Sequence, residues 1–259
     1  MIDFHSHIIP NVDDGSKSLE ETFKMFEEAE KVGFKAIIST SHYIENSYDS
    51  SADERKIWIN ALQEGLDKKN INLKLYLGNE IYFTENMVNL LKKGLAAPIN
   101  GTEYVLFEFP LNTKPMNIYD VIYEMMENNY IPILAHPERY SFVQKEPELI
   151  LDLIEAGVLM QANYGSILGR YGEKAKIIVK KFFENNYIHL LGSDVHKPET
   201  VYPNVPDALD EIKAIVGEEK VEELTMFNPA LVLQNKKIEI EEPEPFKLSL
   251  AEKMKMNLK

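Results

Sequence analysis

Seven short apolar runs punctuate the chain, at residues 1–4, 35–39, 73–78, 104–107, 131–135, 158–161 and 188–192. Longer stretches with apolar residues at helical spacing separate them. This alternation predicts strands and helices in turn around a parallel sheet. In the first helical stretch, residues 19–32, Phe23, Met25, Phe26, Ala29 and Val32 fall on the spacing of one helix face. Ser18 precedes them as an N-cap, with Glu21 at the capping-box position. Further helices are predicted at 52–69, 84–93, 118–128, 146–156 and 173–185, with Gly33, Gly94 and Gly157 as breakers near helix ends. From Pro206 onward the pattern is helical without further strands. Residues 239–245 form an acidic, proline-containing hinge, dividing a barrel-sized unit (1–238) from a tail (239–259). In the tail, Leu250, Met254 and Leu258 lie four apart beside Lys247, Lys253, Lys255 and Lys259. That pattern predicts a basic amphipathic helix. Terminal packing on the barrel is the first expectation for it, and a docking role the second.

Composition narrows the chemistry. The chain has 259 residues, 44% of them hydrophobic, enough for one sizeable core. It has no cysteine, which excludes a disulfide framework, thiolate-ligated zinc or iron–sulfur and a thiol nucleophile. The formal net charge is −14, a sign that disfavours nucleic acid and anionic membranes. No run of 18 apolar residues and no basic, apolar leader pattern occurs, so a cytosolic protein without membrane insertion is expected.

Side chains able to bind metal cluster where the apolar runs end. The first run leads to His5 and His7, the second to His42, the third to Glu80, the fourth to Glu108, the fifth to His136 and the seventh to Asp194 and His196. The sixth ends in Gln161 and Asn163. In a closed β/α barrel the C-terminal strand ends share one face, where such enzymes build their sites. Two histidines at spacing two sit on one side of a strand and can reach one ion. His189, near a strand start, reads as structural. Glu80 and Glu108 are flanked by apolar and aromatic residues, where a carboxylate must be paired or metal-bound; the alternative to metal is an ion pair with Arg139. Of Asp13 and Asp14, one can shape the turn at Gly15 and the other bind metal.

Phe4-His5-Ser6-His7, Val12-Asp13-Asp14-Gly15, Ser39-Thr40-Ser41-His42, Glu80-Ile81-Tyr82, Phe107-Glu108-Phe109, His136-Pro137-Glu138-Arg139-Tyr140 and Ser193-Asp194-Val195-His196 form an ordered series. It resembles the polymerase and histidinol phosphatase (PHP) superfamily, and within it the bacterial capsule-associated tyrosine phosphatases, over residues 1 to about 235. The resemblance implies an α/β fold, a distorted seven-stranded β/α (TIM-like) barrel with two to three divalent ions. These are usually manganese, with iron, zinc or magnesium also admitted. Carried over, the metal ligands are His5, His7, Asp14, His42, Glu80, Glu108, His136, Asp194 and His196; the family pattern selects Asp14 over Asp13. Catalytic roles fall to Arg139, a phosphate contact, and to His42 and His196.

Metal coordination can bring the pKa of water from 15.7 to about 7, replacing the missing thiol with hydroxide. The resemblance implies action on phosphotyrosine in a bacterial tyrosine autokinase that controls capsule or exopolysaccharide synthesis. A histidinol-phosphate or nucleotide phosphatase on the same centre is the alternative, and a noncatalytic metal-binding regulator the third reading. Arg170 and Lys197 read as solvated loop residues, while Tyr140 and Tyr164 are candidates to stack on a phenol ring. The chain departs from the family pattern at one point. An Asn and then Gly-Arg are expected after the Asp-x-His segment, but Lys197-Pro198-Glu199-Thr200 follows His196 and no arginine occurs after Arg170.

Overall fold

The computed structural model describes residues 1–256. Among these residues nine parallel strands form: β1 (Ile2–Ser6), β2 (Ala36–Ser39), β3 (His42–Tyr43), β4 (Lys74–Leu77), β5 (Glu80–Tyr82), β6 (Tyr104–Glu108), β7 (Ile131–Ala135), β8 (Leu159–Asn163) and β9 (Leu190–Gly192). They divide into a three-stranded sheet, β1-β2-β4, and a six-stranded sheet, β3-β5-β6-β7-β8-β9. The count therefore differs from the seven strands expected. The second and third apolar runs are each broken by a two-residue kink, at Thr40–Ser41 and Gly78–Asn79, and resume as β3 and β5. Backbone bonds persist through the kinks: Gly78 N donates to Ser39 O at 2.8 Å and Glu80 N to Thr40 O at 2.9 Å. Asn79 braces the spot, its side chain donating to Ser41 O and accepting from Ala97 N. At the other edge, Asp194 N donates to His5 O and His7 N to Val195 O.

The result is a mixed α/β fold with a curled parallel sheet. Its concave side holds Phe4, Ile38, Leu106, Ile133, Leu159 and Leu190, an apolar plug. The larger core lies between the strands and the helices. Those helices include α1 (Leu19–Lys31), α2 (Ala52–Lys69), α3 (Met87–Lys92), α4 (Ile118–Glu127), α5 (Leu149–Glu155), α6 (Tyr164–Ile167) and α7 (Glu173–Glu184). Ser18 caps α1 as expected, accepting from Glu21 N, but the Glu21 carboxylate closes the turn on Lys17 N instead of Ser18 N. After β9 come α8 (Val205–Val216), α9 (Glu218–Glu222), a π-helical turn and α10 (Asn228–Leu233).

The tail helix α11 (Leu250–Met256) lies on α7, but not by the stripe that its spacing suggests. Leu250 and Met254 are 82% and 77% exposed, whereas Met256 is 1% exposed. Phe246 packs edge-on against Phe182, and Lys181 pairs with Glu252 at 3.3 Å. Leu258 and Lys259 lie outside the described residues.

Candidate metal centre

Strand periodicity sets the layer in which the polar residues sit. Along β6, Tyr104 and Leu106 enter the concave plug and Glu108 follows two positions later; along β8, Leu159 is followed by Gln161 and Asn163. Period two thus stacks a polar layer on the apolar one. β1 reaches it differently. Its pairing with β2 shifts register between Asp3 and Ser6, so Phe4 fills the plug while His5, next in sequence, joins the polar layer. The register of the short strands pairs His42 with Glu80 and Tyr82 with Glu108.

Three histidines are oriented through one ring nitrogen. His5 Nδ1 donates to Gln161 Oε1 at 2.7 Å, His7 Nδ1 to Asp13 Oδ2 at 2.8 Å and His196 Nδ1 to the Asp194 carbonyl at 2.9 Å. Each bond fixes the tautomer that leaves Nε2 as a free lone pair, the arrangement metal-binding histidines use. Asp13 is the turn-shaping residue of its pair, accepting also from Gly15 N and His42 N. Asp14 faces the cavity, 3.3 Å from His196 Nε2 and 3.5 Å from His42 Nε2.

The free nitrogens converge. His5 Nε2 and His7 Nε2 lie 3.1 Å apart, with Glu80 Oε2 at 3.2 and 3.4 Å and Asp194 Oδ1 at 3.5 and 3.3 Å. Four buried acceptor atoms that face one another repel unless a cation or a proton lies among them. His42 Nδ1 lies 3.0 Å from Glu80 Oε2 and 3.1 Å from Glu108 Oε1, and His136 Nδ1 is buried without a hydrogen-bond partner. The donor atoms form three overlapping groups able to hold an ion: His7, Asp14, His42 and His196; His5, His7 and Glu80; His42, Glu80 and Glu108. His136 and Asp194 stand outside these groups but touch them, His136 Nε2 at 2.9 Å from Glu80 Oε1. The residues fit a divalent cluster.

Charge coupling is strong throughout the cluster. Burial opposes the His42 cation, yet Glu80 and Glu108 outweigh it and lift its pKa to about 10. His5 and His7 are raised in the same way, His7 chiefly by Asp13, against the cost of burial. Burial alone would raise Glu80 and Asp194, but the neighbouring histidines hold both well below the carboxylate range.

The backbone is forced at two of these residues: His136 and Asp194 have φ of 34° and 52°, left-handed values that turn their side chains off the strand ends. Gly192 lies so close to β1 that a Cβ there would come 2.4 Å from the Cβ of His5. At Gly15 a Cβ would meet the His7 carbonyl oxygen at 2.3 Å.

Arg139 pairs with neither Glu80 nor Glu108. Its NH1 donates to Asp194 Oδ2 at 2.5 Å, its guanidinium lies 4.4 Å from the Tyr171 ring centroid, and Asn163 Nδ2 donates to the same carboxylate at 2.8 Å. Glu138, fully buried, accepts from Ser166 Oγ and Asn163 N, which fixes the Asn163 backbone. Asp3 accepts from Ser193 N, Ser193 Oγ and Tyr202 OH beneath Asp194. The sequence carried a signal for Gln161 and Asn163, their place at a strand exit, and for Glu138, its place in the His136–Tyr140 segment of the ordered series, but none for Asp3.

The two stacking candidates are corrected. Tyr140 is buried and its hydroxyl bridges Phe109 N and Ala135 O, while Tyr164 is buried under Phe34; neither ring is free to stack on a substrate. Arg55 is buried, donating to the carbonyls of Ser41 and His42. His189 is structural as expected, its Nδ1 accepting from Met160 N, and burial lowers its pKa to about 3.

The family model for capsular polysaccharide synthesis, CpsB/CapC, matches residues 1–234. The chain belongs to this family. It is 33% identical over 244 residues to the putative tyrosine-protein phosphatase CapC of Staphylococcus aureus, covering 92% of this chain and 93% of that protein. It is 32% identical over 247 residues to the tyrosine-protein phosphatase YwqE of Bacillus subtilis, covering 95% and 97%. A crystal structure described with YwqE and with CpsB of Streptococcus pneumoniae as metal-dependent tyrosine phosphatases superposes with a TM-score of 0.90 at 31% identity, over 96% of this chain and all of that one. The histidinol phosphate phosphatase of Lactococcus lactis shares the fold, with a TM-score of 0.56 at 12% identity, over 86% and 94% of the two chains. Among the described residues no helix is long and apolar enough to cross a membrane.

Proposed function

We propose that this CpsB/CapC family member hydrolyses phosphotyrosine in proteins. Two or three divalent ions, manganese first among them, would be held by His5, His7, Asp14, His42, Glu80, Glu108, His136, Asp194 and His196. The observation that carries this reading is the pair of facing Nε2 atoms, 3.1 Å apart and ringed by Glu80 and Asp194. His7, His42 and Glu80 each belong to two donor groups, which favours more than one ion. The mixed nitrogen and oxygen set also admits iron, zinc or magnesium.

Bound divalent ions supply a water activated near neutral pH and neutralise charge on the phosphoryl group. The remaining work falls to the chain itself. Arg139 spends one N–H on Asp194 and borders the same cavity, so its other donors can steady phosphate oxygens. His42 and His196 stand on the open side with Asp14, where the one of them not ligated to an ion can hold or pass a proton at the phenol oxygen. A phenol leaves with a pKa near 10 and needs less protonation than an alkyl alcohol. Tyr82 and Leu111 line this cavity of about 310 Å³, an apolar wall that suits an aromatic ester.

In this reading the two sheets amount to one distorted seven-stranded barrel, since β2 and β3, like β4 and β5, are halves of one kinked strand. Residues 1–238 are the catalytic unit and 239–259 an appendage; the substrate is a cytosolic phosphotyrosine protein, a tyrosine autokinase governing capsule synthesis. The test is to restore manganese to chelated protein and compare a phosphotyrosine peptide, a phosphoserine peptide and histidinol phosphate, with His136→Ala as control. The phosphotyrosine peptide should be turned over fastest, and only with metal. Preference for histidinol phosphate would replace this reading with a small-molecule phosphatase, and no hydrolysis at all would end the enzyme reading.

A further inference from the structure

Beside the metal cavity lies a second one, of about 270 Å³, lined by Arg139, Arg170, Tyr171, Asp194, His196, Lys197 and Thr200. The two share Arg139, Asp194 and His196, so they are compartments of one depression. Its cations differ in state. Arg139 gives one N–H to Asp194 and also lines the metal cavity, whereas among the described residues Arg170 and Lys197 pair with no carboxylate, and the nearby Glu199 is occupied by Lys24. In a chain of net charge −14 this is an unusual place for two free cations. Arg170 is also held in position. Its backbone N donates to Gly165 O, a guanidinium N–H donates to Thr200 O, and its stem lies so close to Gly165 that a Cβ there would come 2.9 Å from the Arg170 Cδ. A guanidinium anchored through one N–H keeps the rest of its donors for a ligand.

Resting on the phosphotyrosine reading, we propose that Arg170 and Lys197 form an anion subsite that takes a carboxylate side chain within two residues of the phosphotyrosine. Successive Cα atoms are about 3.8 Å apart, so a neighbour of a residue seated in the first compartment reaches the second. The subsite selects among phosphotyrosine sequences and leaves the chemistry to the metal centre.

The test uses the metal-loaded full chain and three phosphotyrosine peptides that differ only in flanking Glu, Gln or Lys, with free phosphotyrosine as a fourth substrate. Exposed charge pairs are worth little singly, so kcat/KM should favour the Glu peptide over the Gln peptide by roughly 5-fold, mostly through KM, and less at high salt. Arg170→Glu with Lys197→Glu should reverse the order and make the Lys peptide best, a gain that misfolding cannot mimic. Equal turnover of the three peptides by the native chain, or an acidic preference that survives the double reversal, overturns the subsite alone. Failure to hydrolyse even free phosphotyrosine overturns the phosphatase reading and the subsite with it.

Discussion

Asp13 shows how much of the site is decided one atom at a time. Its Oδ2 accepts from His7 Nδ1 and His42 N, and its Oδ1 from Gly15 N, so both oxygens are saturated by donors. By local pattern alone, two adjacent aspartates before a glycine are interchangeable; the family resemblance selects Asp14, and the three-dimensional turn places Asp14 in the cavity and Asp13 on a ligand's far nitrogen. Gln161 and Asn163 are legible as strand-exit residues, yet their partners, His5 and Asp194, follow from packing that no local pattern encodes. Asp13→Asn is the revealing substitution. Its amide nitrogen must face either Gly15 N or the His7 and His42 donors, so in either orientation a buried donor meets a donor and the anchor of the His7 ring is weakened. Loss of such an orienting partner weakens metal binding by about 10- to 100-fold. Competition against a metal-chelating dye should show that drop while every proposed ligand is still present; unchanged affinity would make Asp13 a turn residue only.

At the scale of elements, periodicity carried most of the reading. The predicted helix at 52–69 coincides with α2, and the run at 131–135 with β7, because long amphipathic stretches and short apolar runs are physically distinct patterns. The strands β3 and β5 were hidden because each is only two or three residues long and carries a polar residue at its start, His42 or Glu80. The tail misled for a different reason: its regular stripe, Leu250 and Met254, faces solvent, while Met256, off that spacing, and Phe246, four residues before Leu250 but ahead of the helix, are buried. Deleting residues 246–259 uncovers Phe182 and Tyr187, which Phe246 covers. Fully burying a large apolar side chain contributes about 1.5–3 kcal/mol, so the truncated chain should unfold at lower denaturant concentration. Turnover of a small aryl phosphate should not change, since no described residue of the tail contributes to the lining of the metal cavity. A selective loss against a protein substrate would instead assign the exposed Leu250 and Met254 to docking.

For the whole molecule, the net charge of −14 hides a local balance. Asp14, Glu80, Glu108 and Asp194 converge on one depression, and without ions their repulsion is relieved by protons on histidine, which is why His42 is lifted to about 10. Ions that bind the folded chain expel those protons and stabilise it, because the unfolded chain gathers no such cluster. At a hundredfold excess over Kd, each site contributes about 2.7 kcal/mol. In a protein of this size 1 kcal/mol moves Tm by about 2–4 °C. Chelation should therefore lower Tm by roughly 5–10 °C for each ion lost. Restored manganese should raise it again, and Tm should keep climbing with the logarithm of metal concentration after the sites are full. Scanning calorimetry across a manganese series measures this directly, with His136→Ala expected to shrink the shift. A Tm that ignores both chelator and metal would mean that the convergence of these side chains is held by packing and protons alone.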